Sequence, residues 1–144
     1  MRIDDRYVSE SMDGKQVAPL MDADPDPDVG TLRVRTTPNF WNHSSCDHAV
    51  STRLLPAGPD RTQTRITWLV DKHTTDGVDY KLEHLLPCWQ KTSEQHLSIG
   101  ESVQQSVKSS QFKLGPYSTY NEYNVEGFLR WYLQSLTAAE RSST

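Results

Sequence analysis

The chain has 144 residues, a formal net charge of −4, 35% hydrophobic residues and 24% charged residues, a composition typical of one folded domain with a modest core. The negative charge and the scattered basic residues argue against nucleic acid or an anionic membrane surface as a partner. Apolar runs fall short of the roughly 20 residues of a membrane span, the N-terminal stretch lacks a signal-peptide core, and two cysteines, Cys46 and Cys88, favour a reduced cytoplasmic setting over a disulfide framework.

Residues 1–28 are predicted to be a polar N-terminal segment and linker. Met12-Asp13-Gly14 is typical of a turn, and the alternating DPDPD at 24–28 predicts an extended connection. This acidic run lacks the glycine and the distal glutamate of a calcium-binding loop, so a solvated linker is the favoured interpretation.

Three strands are predicted next, from stretches that alternate apolar and polar residues: VGTLRVRT (29–36), AVSTRLL (49–55) and TQTRITWLV (62–70). The connection PAGPD at 56–60 suits an antiparallel hairpin between the last two. Each strand is expected to have one apolar face, formed by Leu32 and Val34, by Val50, Thr52 and Leu54, and by Ile66, Trp68 and Val70.

Helices follow, because the period of apolar residues changes from 2 to 3.6. Asp76 or Asp79 is a candidate cap for the short helical segment YKLEHLL, which Pro87 ends or kinks. A long helix is predicted from about Cys88 to Lys108.

A last helix is predicted from about Val125 to Leu136, with Asn124 as its N-cap. Strands followed by helices predict an α+β fold, with helices packed on one side of an antiparallel sheet.

A histidine of the long helix shares its side with apolar residues. Trp89, Ile99, Val103 and Val107 return to the same side as His96, and Gly100 leaves open space beside it. His96 is therefore predicted to point inward, as either a hydrogen-bonded core residue or a ligand, and the core interpretation is favoured for an isolated histidine.

The stretch HSSCDH contains two further candidate metal ligands, His43 and His48. Five residues apart, they point to opposite faces of a strand and lie about 140° apart on a helix, so packing or exposed histidines are favoured over a metal site. Cys46-Asp47-His48 is a C-x-H element, half of the ligand set of a Rieske cluster. The other half, C-x-x-H, is not found at Cys88, so no iron–sulfur cluster site is predicted in this chain.

Four segments in order resemble the C-terminal half of the catalytic domain of Rieske non-haem iron oxygenases, the α subunits of aromatic-ring-hydroxylating oxygenases. They are SMDGKQVAPLM (11–21), PNFWNHSSCDHAVSTRLLPAGPDRTQTRITWLVD (38–71), DYKLEHLLPCWQKTSEQHLSIGESVQQSV (79–107) and GPYSTYNEYNVEGFLRWYL (115–133). The resemblance implies that 29–144 is the C-terminal part of a helix-grip, START-like catalytic domain, without the Rieske domain.

In that family two histidines and a carboxylate hold mononuclear Fe(II). The histidines come from a D-x-x-H-x4-H motif upstream of the region present here, and the carboxylate comes from a segment like S-E-Q-D-x-x-I-C-E-x-x-Q. Laid on this sequence, the carboxylate falls on His96 and the cysteine on Gly100. The resemblance thus implies His96 as a metal-ligand position, Ile99, Gly100 and Val103 as pocket residues, and no catalytic residue in this chain.

The activity implied is that of a fragment or subunit of a monooxygenase or dioxygenase, which hydroxylates or demethylates a small organic or aromatic substrate. Its partners would be O2, the substrate, a missing N-terminal half and an electron-transferring reductase or ferredoxin. Alternatives are a non-enzymatic remnant of the same fold that binds a small ligand or a partner, and an iron-binding subunit that shares donors with another chain. The 144-residue chain alone is expected to be inactive, and to associate through an uncovered edge strand.

Overall fold

The computed structural model describes residues 7–21, 26–118, 120 and 122–142. The chain forms two compact units, Met1–Val107 and Lys108–Thr144. The first unit contains all four described strands and two helices, and the second contains one helix. The α+β fold predicted from the sequence is confirmed.

The sheet of the first unit is antiparallel throughout, and its strand order follows the chain, β1-β2-β3-β4. The strands are β1 (Leu32–Thr36), β2 (Phe40–Ser44), β3 (Ala49–Gly58) and β4 (Arg61–Leu69). Three of them confirm the predicted strands, and the Pro/Gly connection forms the predicted hairpin between β3 and β4. The strand β2 was not predicted, because FWNHS is short and its polar residues hide the alternation.

One face of the sheet gathers most of the predicted apolar side chains. The register sets His43 opposite Val50 and Val50 opposite Trp68, and the next row contains Trp41, Thr52 and Ile66. Val50 is buried, with 1% of its surface exposed, and Thr52 with 5%. We call this face, which continues through Leu54 and Thr64, the inner face.

The strand β1 presents its apolar residues to the other side. Leu32 pairs with Ser44 and Val34 with Asn42, so both lie on the outer face, where they are 63% and 41% exposed. The intervening Arg33 and Arg35 therefore lie on the inner face, because successive side chains of a strand alternate. The apolar face predicted for this strand exists, but it is uncovered in the described chain.

Helices α1 (Leu82–Leu85) and α2 (Pro87–Val107) follow the sheet, and α2 agrees with the prediction to within one residue at each end. Leu85 anchors α1, since only 2% of its surface is exposed. The predicted aspartate cap is wrong: the N-cap of α1 is Lys81, which makes no side-chain cap bond. Asp79 instead accepts a hydrogen bond from the Thr75 backbone N–H at 2.8 Å within the preceding turn.

Helix α3 (Tyr123–Ser142) belongs to the second unit and is longer than predicted. Asn124 lies inside its first turn and is not its cap. The rings of Phe128 and Tyr132, one turn apart, stack at 6.2 Å between centroids. Among the helices of the described residues, none is both long and apolar enough to cross a lipid bilayer.

The segment 7–21 has no regular secondary structure but packs against the turn between β2 and β3. The predicted turn at Met12-Asp13-Gly14 is present, and Gly14 adopts φ +74° there. The Met21 backbone N–H donates to the Cys46 carbonyl at 2.9 Å. Asp24 and Pro25 of the predicted acidic linker lie outside the described residues.

Candidate functional site

Helix α2 contacts β2 and the β3–β4 turn through one side chain near each of its ends. Close to its start, the ring of Trp89 meets the ring of His43 edge-on, with 4.5 Å between centroids. Close to its end, the Gln104 side-chain amide donates to the Asp60 carboxylate in the β3–β4 turn at 3.3 Å. The helix therefore runs along the sheet from the β2–β3 turn toward the β3–β4 hairpin.

Between these contacts, the predicted stripe of α2 is exposed. His96 lies two turns beyond Trp89, about 10 Å along the axis, and on the same side of the helix. His96 is nevertheless exposed, Ile99 is 62% exposed and Val103 is 54% exposed. A Cβ added to Gly100 would meet no atom within 4 Å.

The expectation that His96 is a core residue is therefore wrong. The stripe has the predicted side of the helix but lacks partners within the described residues, because α2 buries none of its side chains. His96, Ile99, Gly100 and Val103 are exposed on the same side of α2 as Trp89, and we call these residues, together with the neighbouring inner face, the α2 cleft.

The floor of the α2 cleft is the part of the inner face beyond His43. Trp41 is half-buried and lies two residues before His43 on β2, so both side chains point to the same face. Arg35 lies directly opposite Trp41 on β1. Ile66 and Leu54 continue the floor toward the hairpin, and both are half-buried.

Charged residues of the inner face surround His43. Its Nδ1 lies 3.9 Å from the Glu10 carboxylate, which also accepts a hydrogen bond from Arg33 at 3.2 Å. Burial lowers the pKa of His43, the charge of Glu10 opposes that shift, and the charges of Arg33 and Arg35 add to it.

A buried polar cluster closes the β2–β3 end of the sheet. Asp47 is fully buried, and its Oδ1 accepts hydrogen bonds from Ser9 at 2.7 Å and Ser45 at 3.0 Å, and pairs with His48 Nδ1 at 2.8 Å. Its Oδ2 accepts the backbone N–H of Val17 at 2.7 Å. We call this cluster the Asp47 clamp, because it fastens the segment 7–21 to the sheet.

The clamp keeps Asp47 ionised. Burial by itself raises the pKa of a carboxyl group, but the hydrogen bonds from His48, Val17 and Ser9 outweigh burial and lower the pKa of Asp47 to about 2. The neighbouring Cys46 thiol changes in the opposite direction: burial and the charge of Asp47 raise its pKa to about 11. Cys46 is buried, and its thiol donates to the Val8 carbonyl at 3.3 Å, as expected of a packing residue.

The two histidines of HSSCDH contact different residues and do not form a common metal site. His43 packs against Trp89, whereas His48 is bound to Asp47 within the clamp. Across the described ranges, no three His, Cys, Asp or Glu residues form a group that could hold a metal ion.

An iron site of the type implied by the resemblance needs three protein donors. The resemblance implies one such donor, His96, and the described residues hold no group of three that could make the site. Arg35, Trp41 and Glu10 were not predicted as site residues. Arg35 meets Trp41 only through the pairing of β1 with β2, and Glu10 reaches Arg33 and His43 from a distant segment, and no local sequence pattern reveals either contact.

Comparison with known proteins shows which family the chain is similar to. The model of the ring hydroxylating alpha subunit (catalytic domain) matches residues 1–138. The chain is 39% identical over 130 residues to a glycine betaine monooxygenase oxygenase subunit from Chromohalobacter salexigens, covering 90% of this chain and 29% of that protein. It is 35% identical over 133 residues to the glycine betaine monooxygenase oxygenase subunit of Pseudomonas aeruginosa, covering 92% of this chain and 31% of that protein. The chain spans about three tenths of the length of these curated relatives.

Proposed function

The chain belongs to the ring-hydroxylating oxygenase α-subunit family, and on that premise we propose that it forms the substrate-cleft part of an oxygenase catalytic domain. The reaction is O2-dependent hydroxylation or demethylation of a small organic molecule. The observation that carries the proposal is the family match over 1–138, which includes both sides of the α2 cleft.

The relatives favour a monooxygenase over an aromatic-ring dioxygenase. Both are named for glycine betaine, a small, non-aromatic molecule with three methyl groups on a quaternary nitrogen and a carboxylate. We therefore propose a methylated, non-aromatic substrate for this chain, which narrows the small organic or aromatic substrate that the resemblance implied. A reductase or ferredoxin would deliver the electrons.

His96 is the metal donor that this chain would contribute. Its imidazole lies on the cleft side of α2 and is accessible, so it can reach a metal whose other donors lie outside the described residues. A neutral imidazole in place of a carboxylate leaves more positive charge on a divalent ion.

The test is a fusion in which residues 7–144 replace the aligned C-terminal region of the glycine betaine monooxygenase oxygenase subunit of C. salexigens. With a reductase and O2, the fusion should oxidise glycine betaine, whereas the 144-residue chain alone should not. Turnover by the isolated chain, or no turnover by a folded, iron-loaded fusion, would contradict the proposal.

Iron per chain in the same fusion tests His96 separately. His96→Asp should raise iron occupancy, because it places a negative charge beside a divalent ion. His96→Ala should lower iron occupancy, because losing a ligand weakens the affinity for iron by about 10–100-fold. Equal iron content in all three proteins would remove His96 from the metal site.

A second candidate function is a small-ligand-binding module without turnover. The open cleft with a single metal donor favours it, because binding a small molecule requires the cleft alone. Ligand binding by a fusion that holds no iron would support this candidate over the oxygenase.

A further inference from the structure

We propose that Arg35 and Trp41 form a recognition site for a zwitterion, in which the Trp41 ring holds a quaternary ammonium and the Arg35 guanidinium holds a carboxylate. This inference rests on the proposed function and names the substrate class of the same cleft. It assigns to the inner face of the β1–β2 pair the role of determining specificity.

The first argument is the placement of the two side chains. Arg35 and Trp41 are direct partners across β1 and β2, so their Cβ atoms lie about 5 Å apart on one face. That face is the inner one, since His43, two residues from Trp41, contacts Trp89 of α2. Both side chains therefore lie on the sheet face that α2 contacts through Trp89.

The second argument is that no carboxylate of the described residues neutralises the charge of Arg35. Arg33, its neighbour on the same face, is paired with Glu10 at 3.2 Å. No carboxylate of the described residues pairs with Arg35, which is exposed. Among strand residues of the inner face, Arg35 is thus the cation left to bind an anionic ligand, and a guanidinium matches the two oxygens of a carboxylate.

The third argument is the chemistry of Trp41. An indole ring is the aromatic surface that attracts a quaternary ammonium most strongly, since such a cation has no N–H to donate and binds through its methyl groups and charge. Trp41 is half-buried, so part of its surface remains accessible to a ligand. The adjacent Thr52 and Ile66 are uncharged and give the ammonium no competing partner.

The direct cross-strand pairing of Arg35 and Trp41 suits a ligand whose two charged ends are close together. In a betaine a single carbon separates the ammonium nitrogen from the carboxylate, so both ends fit side chains that extend from adjacent positions on neighbouring strands. A ligand without the carboxylate would keep only the Trp41 contact, and a ligand without the positive charge would keep only the Arg35 contact.

The experiment measures ligand binding to the 144-residue chain by calorimetry, with three probes. They are glycine betaine, choline, which lacks the carboxylate, and 3,3-dimethylbutanoate, in which an uncharged carbon replaces the quaternary nitrogen. Arg35→Gln should weaken glycine betaine binding about tenfold and leave choline unchanged. Trp41→Leu should weaken glycine betaine and choline about three- to tenfold and leave 3,3-dimethylbutanoate unchanged.

Matched controls come from the outer face. Arg53→Gln removes an exposed arginine of β3 and Phe40→Leu removes an exposed aromatic ring of β2, and the two residues pair with each other across the strands. Neither substitution should alter binding of any probe, and circular dichroism should show all four variants folded.

Absence of glycine betaine binding by the parent chain, or equal losses in the outer-face controls, would overturn the inference. The fusion described above separates the two failures. If it oxidises glycine betaine with the same KM after Arg35→Gln, the oxygenase function stands and the recognition site falls. If the isolated chain binds as expected but the fusion is inactive, the recognition site stands and the oxygenase function falls.

Discussion

Asp47 is the residue on which the β2–β3 end of the molecule depends. Its carboxylate is fully buried, and its partners come from three parts of the chain: Ser9, the 17–18 backbone and the turn that contains His48. A buried carboxylate is stable only when its oxygens are hydrogen-bonded, and here both are.

The lowered pKa of Asp47 predicts a loss of stability in acid. The carboxyl titrates near pH 3.8 when the chain is unfolded and at about 2 when folded, so its stabilising contribution is complete above pH 3.8 and is lost as pH falls through about 2. That contribution is about 2 kcal/mol in the free energy of unfolding. Urea unfolding between pH 2 and pH 6 measures it.

Asp47→Asn should abolish this pH dependence and lower stability at pH 7 by about 1–3 kcal/mol, because the amide nitrogen cannot accept the bonds that the carboxylate accepts. Glu94→Gln, at an exposed position of α2, is the control and should leave the free energy of unfolding within about 0.5 kcal/mol of the parent. If Asp47→Asn still loses stability in acid, the loss must come from another titrating group.

At the scale of the element, α2 shows which properties of a helix a sequence pattern can predict and which it cannot. The 3.6-residue period gave the length of the helix and the side on which His96 lies, since both follow from local geometry. The period could not give the burial of that side, because burial depends on partners elsewhere in the protein. His96 accordingly shares a side with Trp89 but is exposed.

The sheet likewise contains features that follow from local sequence and features that depend on residues far apart in the chain. Strands with β-branched residues and clean alternation were predicted, whereas the polar β2 was not. Missing β2 also hid the candidate recognition site, since Arg35 meets Trp41 only through the β1–β2 register. The Asp47 clamp was likewise hidden, because Ser9 and Asp47 are 38 residues apart.

The exposure of His96 predicts that α2 tolerates a charge there. His96→Asp should change the free energy of unfolding by less than about 0.5 kcal/mol, because aspartate and histidine have similar helix propensities and the site is solvated. The matched substitution His48→Asp places a second carboxylate beside buried Asp47 and should cost about 3–5 kcal/mol. Thermal unfolding of both variants decides; equal losses would mean that His96 is buried in solution.

At the scale of the whole molecule, the described chain leaves apolar surface uncovered. The sheet has two edges, β1 and β4, and the outer face of β1 exposes Leu32 and Val34. The stripe of α2 adds Ile99 and Val103. Exposed strand edges and apolar patches promote association between chains.

We therefore expect the 144-residue chain to be oligomeric in solution. The double substitution Leu32→Lys and Val34→Lys should shift it toward monomer in light scattering after gel filtration, because lysine on an edge strand opposes pairing. Val78→Lys makes the same chemical change at a position 80% exposed outside the sheet, and should leave the oligomer intact. A parent chain that elutes as a monomer and unfolds cooperatively would contradict this expectation.

The Asp47 clamp has a consequence for hydrogen exchange. The amides of Val17 and Ala18 lie in a segment without helix or strand, yet both donate to a buried carboxylate at the end of the sheet. They can exchange with solvent deuterium only when the β2–β3 turn opens, so we expect them to share the protection of the sheet. The amide of Lys15 also donates to an aspartate, Asp13, but at an exposed site, and it should exchange within the dead time of the measurement. Slow exchange at 17 and 18 with fast exchange at 15 would place an irregular segment in the same cooperative unit as β2 and β3.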